Sequence, residues 1–105
     1  MANTEPGLLQ ESASQASKLL KSMSNANRLL ILCMLVDSPG TSAGDLCKLT
    51  GLSPSATSQH LARMKEEGLI ECAREGQKMN YFIKNASVKT IISTLRDIYC
   101  PEDLT

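Results

Sequence analysis

The sequence predicts a mainly α fold with a β-hairpin wing: a winged helix-turn-helix, five helices with two strands between the fourth and fifth, working as a dimer. Three observations point there. Apolar residues recur at helical spacing near both ends of the chain. The middle holds a short helix, a glycine break at Gly51 and a second helix announced by Ser53-Pro54. Two strand-like runs around Gly76 follow immediately.

Leu9, Ala13, Ala16, Leu20 and Met23 alternate steps of four and three, which lays an apolar stripe along a first helix over about 8–23. Ser24 or Asn25 can cap a second helix, whose run Leu29-Leu30-Ile31-Leu32-Cys33-Met34-Leu35-Val36 is apolar nearly all round and belongs in a core. Asp37-Ser38-Pro39-Gly40 is a strong turn signal. Ser42 with Asp45 three residues on resembles a capping box and opens a short third helix to about Leu49. Proline at the first position of the fourth helix, Pro54, loses no hydrogen bond there, and Gly68 ends that helix after Glu67. Leu69–Arg74 and Met79–Lys84 read as strands joined by the loop Glu75-Gly76-Gln77-Lys78. Asn85 can cap a last helix over 86–99 that carries Val88, Ile91, Ile92, Leu95, Ile98 and Tyr99 on one face and stops at Pro101.

A chain of 105 residues has room for one domain, here 1–105, with the helix-turn-helix at 42–67 and the wing at 69–84. Apolar residues make up 42% and aromatics 3%, so the core is built from Leu, Ile, Met and Ala, a composition that favours helices. No basic segment with a long apolar run opens the chain, and no stretch approaches the ~18 apolar residues of a membrane span. The expected setting is cytoplasmic, with no membrane partner. Cys33, Cys47, Cys72 and Cys100 form no CxxC pair and no dense secreted framework, so reduced thiols are the default. Zero net charge argues against a protein that coats nucleic acid non-specifically. Lys48 to Lys89, however, holds seven bases against four acids and is net +3.

On a helical wheel the fourth helix turns Thr57, Leu61 and Met64 inward and leaves Ser55, Ser58, Gln59 and Ala62 outward, with Arg63 beside them. That face is small and polar, poorer in Lys and Glu than a merely solvated one. Gln bonds adenine bidentately, Ser bonds a base or a phosphate, and Ala meets the thymine methyl in the major groove. Arg74, Gln77 and Lys78 lie near the hairpin tip, where a flexible cationic loop can reach phosphate or the minor groove; an ordinary polar turn is the plainer alternative. His60 is expected to be a packed, hydrogen-bonded residue rather than a metal ligand. Apolar stripes on both terminal helices exceed what one small core can cover, so a second copy is expected over them. Two recognition helices about a twofold axis would then read an imperfectly palindromic operator in double-stranded DNA.

Leu49 to Leu61, the downstream Glu67-Gly68-Leu69-Ile70, Tyr81 and the second-helix pattern Ser24 to Leu32 together resemble the ArsR/SmtB family of bacterial repressors over about residues 16–100. The resemblance implies a dimeric repressor that leaves its operator when an inducer binds. Two familiar metal sites of the family are missing: the start of the third helix has Thr41, Ser42 and Gly44, and the last helix has Asn85 and Ser87 where Asp and His would stand. Independently, one histidine and four scattered cysteines make a poor zinc set. No metal and no cofactor are expected.

Cys33 in Ile31-Leu32-Cys33-Met34-Leu35 and Cys100 in Ile98-Tyr99-Cys100-Pro101 resemble the paired thiols of the family's sulfide- and redox-responsive branch. There, the resemblance implies, two thiols of one subunit are joined by persulfide-derived sulfur or by oxidation, and the joining lowers DNA affinity, with the reduced form repressing. That role is carried to Cys33 and Cys100 alone; Cys47 and Cys72 match no sensing position, and inert packing is a cysteine's commoner fate. Three other readings stand beside it: a soft-metal or organometal sensor using the same thiols, a thiol enzyme, for which His60 on the DNA-reading helix offers no evident base, and a pure protein-interaction module. The leading reading is not an enzyme.

Overall fold

The computed structural model describes residues 5–100. Along the chain run α1 (Pro6–Met23), α2 (Ala26–Asp37), β1 (Thr41–Ser42), α3 (Ala43–Thr50), α4 (Pro54–Glu66), β2 (Ile70–Glu75), β3 (Lys78–Ile83) and α5 (Ala86–Tyr99). The fold is a winged helix-turn-helix. Each helix start has a local cause. Asn25 Oδ1 accepts from the backbone N–H of Asn27 and Arg28 at 2.9 and 3.1 Å, so Asn25 rather than Ser24 caps α2. Ser42, Ser53 and Asn85 accept from the N–H of Asp45, Ala56 and Ser87 and cap α3, α4 and α5. Pro101, expected to stop the last helix, lies outside the described residues; α5 itself ends at Tyr99.

The core is one cluster. Ile31, Leu32 and Leu35 of α2 are fully buried against Leu46 of α3, Leu61 and Met64 of α4, Leu69 and Ile70 at the base of the wing, and Val88 and Ile92 of α5. The inward prediction for α4 holds, with Thr57, Leu61 and Met64 at 2% exposure or less. By contrast, α2 is not buried all round: Leu30 is 40% exposed and Cys33 half-buried.

Two local expectations need correcting. The hairpin loop is two residues long rather than four, because Glu75 and Lys78 pair directly across the strands and move both strand ends one residue from Leu69–Arg74 and Met79–Lys84. Gly76 takes φ 65° while Gln77 stays at negative φ, the pattern of a type II′ turn. A third strand was also missed. Thr41 and Ser42 pair antiparallel with Tyr81 and Asn80, giving the sheet order β1-β3-β2. Two residues carry no readable alternation. The approach is close, since Gly40 at φ 89° donates its N–H to the Tyr81 carbonyl at 2.8 Å, and a Cβ there would meet the Phe82 ring at 3.3 Å.

Helix α1 stands apart from this core. Of its apolar stripe only Met23 is buried; Leu9 and Leu20 are 44% and 53% exposed. Among the described residues no single helix is long and apolar enough to cross a membrane.

Candidate nucleic-acid interface and thiol pocket

The helix-turn-helix is α3, the Gly51 turn and α4. Gly51 closes α3 in the left-handed region, φ 75°, and returns its N–H to the Cys47 carbonyl at 3.1 Å. Side chains then latch the turn. Thr50 Oγ1 donates to the Leu46 carbonyl at 2.7 Å and accepts from the Leu52 N–H at 3.2 Å, while the Cys47 thiol donates to the Leu52 carbonyl at 3.1 Å. Cys47, without a role in the sequence reading, is therefore a half-buried strut of this turn.

Burial of Thr57, Leu61 and Met64 fixes the rotation of α4, and Ser55, Ser58, Gln59 and Arg63 consequently all face solvent. Gln59 and Arg63 share one shallow groove with Ala62 and Glu66. His60 is half-buried behind this face, and its Nδ1 accepts from Arg28 Nε at 3.4 Å. The same guanidinium donates to the Ser22 carbonyl at 2.8 Å and pairs with Glu67 at 3.6 Å, tying α1, α2 and the end of α4 together.

On the wing, Gln77 sits in the turn and Arg74 and Lys78 are exposed near the tip. The ribbon separates the two cations. Arg74 lies opposite Met79 and Lys78 opposite Glu75, and directly opposed residues share a face, so Arg74 and Lys78 point to opposite faces. Glu75 further accepts from Asn80 Nδ2 at 2.8 Å, which holds a carboxylate beside Lys78. Cys72 lies opposite Tyr81. The Tyr81 hydroxyl is pushed above its ordinary value of 10.0, first by burial and then by Cys72, against a smaller lowering from Lys65.

Between α2 and α5 lies a pocket of about 440 Å³, walled by Leu29, Ile92, Leu95 and Tyr99, and Cys33 and Cys100 both line it. Both are free thiols, Cys33 half-buried and Cys100 exposed. Arg96 completes the lining. Its Nη1 donates to Asp37 Oδ1 at 2.7 Å and its Nη2 to the Cys33 carbonyl at 3.5 Å. Asp37 first, and Cys33 second, hold the guanidinium above its ordinary value. Sequence reasoning missed this ion pair, although a signal existed: Asp37 follows Cys33 by four residues and Arg96 precedes Cys100 by four, so each charge shares a helix face with one thiol. Among the described residues no group of three or more His, Cys, Asp or Glu is placed to hold a metal ion.

Comparison with known proteins agrees with this geometry. The model of the bacterial regulatory protein arsR family matches residues 25–71, from the cap of α2 into β2. The HTH-type transcriptional regulator YgaV of Escherichia coli K12 is 62% identical over 93% of this chain and 99% of that protein. The transcriptional activator HlyU of Vibrio cholerae is 40% identical over 88% of this chain and 84% of that protein. A crystal structure described as a predicted DNA-binding transcriptional regulator from E. coli superposes with a TM-score of 0.85 at 61% identity, covering 90% of this chain and all of that one. With the helix-turn-helix, the wing and nearly full-length identity in agreement, the chain belongs to the ArsR family of bacterial regulatory proteins and is a winged helix-turn-helix transcriptional regulator.

Proposed function

We propose that this regulator is a cytoplasmic DNA-binding repressor whose homodimer reads an imperfect palindrome and releases it when Cys33 and Cys100 are joined by a reactive sulfur species or an oxidant. The single observation that carries the inducer half of this reading is the pocket that Cys33 and Cys100 line together. One thiol comes from α2 and the other from the residue that caps α5, and both open onto the same pocket. The thiolate is the reacting species in such a bridging step, and Arg96, held by Asp37, lines the same pocket.

The chemistry balances with a polysulfide as oxidant. Two thiols and hydrogen trisulfide give a bridge of three sulfurs, Cys33–S–Cys100, and two molecules of hydrogen sulfide; the two electrons leave the thiols and reduce the sulfane sulfur. A peroxide would instead accept them to form the direct disulfide and two waters. Either link ties α2, the central core helix, to α5. The exposed apolar stripes of α1 (8–23) and α5 (86–99) are the subunit contact in this reading, so a change in the α2–α5 angle alters the distance between recognition helices. Those must sit about one helical turn of DNA apart, roughly 34–36 Å. Ser55, Ser58 and Gln59 of the 42–67 unit read bases, and Arg63 with Arg74, Gln77 and Lys78 of the 69–84 wing contacts the backbone or the adjacent minor groove.

The test is a titration of reduced protein against its own promoter region, repeated after polysulfide treatment, with intact mass recorded on both samples. Lost binding together with a mass change localised to a Cys33–Cys100 link is the expected result. Cys33→Ser and Cys100→Ser should each bind operator as the reduced parent does and fail to release it. Release by arsenite or Cu(I), with binding retained after polysulfide bridging, would move the inducer to soft metals.

A further inference from the structure

A second cleft, of about 620 Å³, lies between α1 and the far end of α4 and is lined by Lys18, Lys21, Ser22, Arg28, Arg63 and Glu67. Its charges do not cancel. Glu67 is taken by Arg28, which also holds the Ser22 carbonyl and His60, so that pair is the internal tie of the cleft floor. Lys18, Lys21 and Arg63 remain as three cations with no salt bridge among the described residues. All three are exposed. Arg63 also lines the groove that contains Gln59, Ala62 and Glu66, so this one cation joins the recognition face of α4 to the cleft against α1. At 3.6 residues per turn, Lys18 falls on the side of α1 opposite Ala13, Ala16 and Leu20, while Lys21 stands at the edge of that stripe and lines a groove with it as well as the cleft. A partner covering that stripe leaves Lys18 free and meets Lys21 at its rim.

We propose that Lys18 and Lys21 form, with Arg63, a phosphate clamp: a contact to the DNA backbone from outside the helix-turn-helix and the wing. It rests on the DNA-binding reading above and adds to it the contribution of α1. The ligand chemistry is a row of phosphodiesters, because three like charges in an open cleft whose one carboxylate is paired with Arg28 suit a polyanion and carry no means of distinguishing bases. Such a contact acts through counterion release. Each neutralised phosphate contributes roughly 0.9 to the slope of log K against log salt.

The experiment compares the full-length parent, Lys18→Gln/Lys21→Gln and the control Lys89→Gln on α5, each against operator and scrambled duplexes in a chloride series. For a dimer carrying two lysines per copy, the double variant should flatten the slope by about 2–4 and weaken binding about tenfold or more at ~0.1 M salt. The operator-to-scrambled ratio should not change, because both duplexes offer the same backbone. Lys89→Gln should leave the slope as it is. An unchanged slope in the double variant overturns the clamp while leaving the repressor reading intact. So does a lost operator-to-scrambled ratio at constant slope, which would make the lysines structural or base-reading. Inorganic phosphate bound by the parent and lost in the double variant, with the operator slope unaltered, would assign the cleft to a free anion and also overturn it. A parent that does not distinguish operator from scrambled duplex overturns both readings. Lys18→Glu/Lys21→Glu, which keeps two exposed polar helix positions, must weaken binding further than the glutamine pair if charge is the cause.

Discussion

Gln59 shows how far single residues can be read. Its outward position on α4 follows from the burial of Thr57, Leu61 and Met64, which the helical period alone predicts. Gln59→Ala is expected to weaken operator binding by about 1–3 kcal/mol in a fluorescence-anisotropy titration; a loss of a few tenths would remove it from the base-reading set. Tyr81 carries a different prediction. Burial raises its hydroxyl above 10.0, so the folded state holds that proton more tightly than the unfolded chain does. Its contribution to stability is complete below pH about 10 and is lost as pH rises through the folded-state value. Urea unfolding should therefore show a decline above pH 10 that is shallower in Tyr81→Phe, with near-neutral stability changed by less than about 1 kcal/mol. The Asp37–Arg96 pair was illegible as a pair: its members lie 59 residues apart, and only the packing of α5 on α2 brings them to 2.7 Å.

Among elements, capping chemistry was the most readable, since Ser42, Ser53 and Asn85 each carry the cap predicted for them. The turn between α3 and α4 was located by Gly51, but the latch of Thr50 and Cys47 around it was not, because nothing in a thiol or hydroxyl announces which carbonyl it will meet. Gly51→Ala places a Cβ at φ 75° with no clash around it, so the cost is backbone strain alone. A loss of about 1–2 kcal/mol in chemical denaturation is expected. A neutral result would mean the turn relaxes out of the left-handed region. The wing shows the opposite case. Gly76 identified the hairpin, yet cross-strand pairing of Glu75 with Lys78 set its register and sent Arg74 and Lys78 to different faces. One-residue register is a property of two strands, and neither strand contains it alone.

The whole molecule is extended for its length. Its radius of gyration is 15.4 Å against about 13 Å for a compact chain of this size, and its longest extent is 49 Å. The excess goes with α1, whose apolar stripe lies largely in water, and with Ile98 and Tyr99 at 60% and 77% exposure on the end of α5. Apolar surface on both terminal helices is what a second copy would bury. Leu20→Glu/Ile98→Glu should run as a monomer in size-exclusion chromatography with light scattering. It should also lose well over tenfold in operator affinity, as a dimer that engages two linked half-sites gains avidity that a monomer lacks. A variant that remains dimeric would place the subunit contact elsewhere.

By itself the sequence determined the order of the five helices and the two wing strands, the caps of α3, α4 and α5, the buried face of α4 and the unusual excess of apolar surface on the terminal helices. All of these depend on period and local chemistry, which act within a few residues of each other. Tertiary structure alone decided that β1 joins the wing, that Arg96 reaches Asp37 beside Cys33, and that Lys18 and Lys21 complete a cationic cleft begun by Arg63. Those contacts join residues 38 to 59 positions apart, and only the direction in which one packed helix or strand leaves the next can bring such partners together.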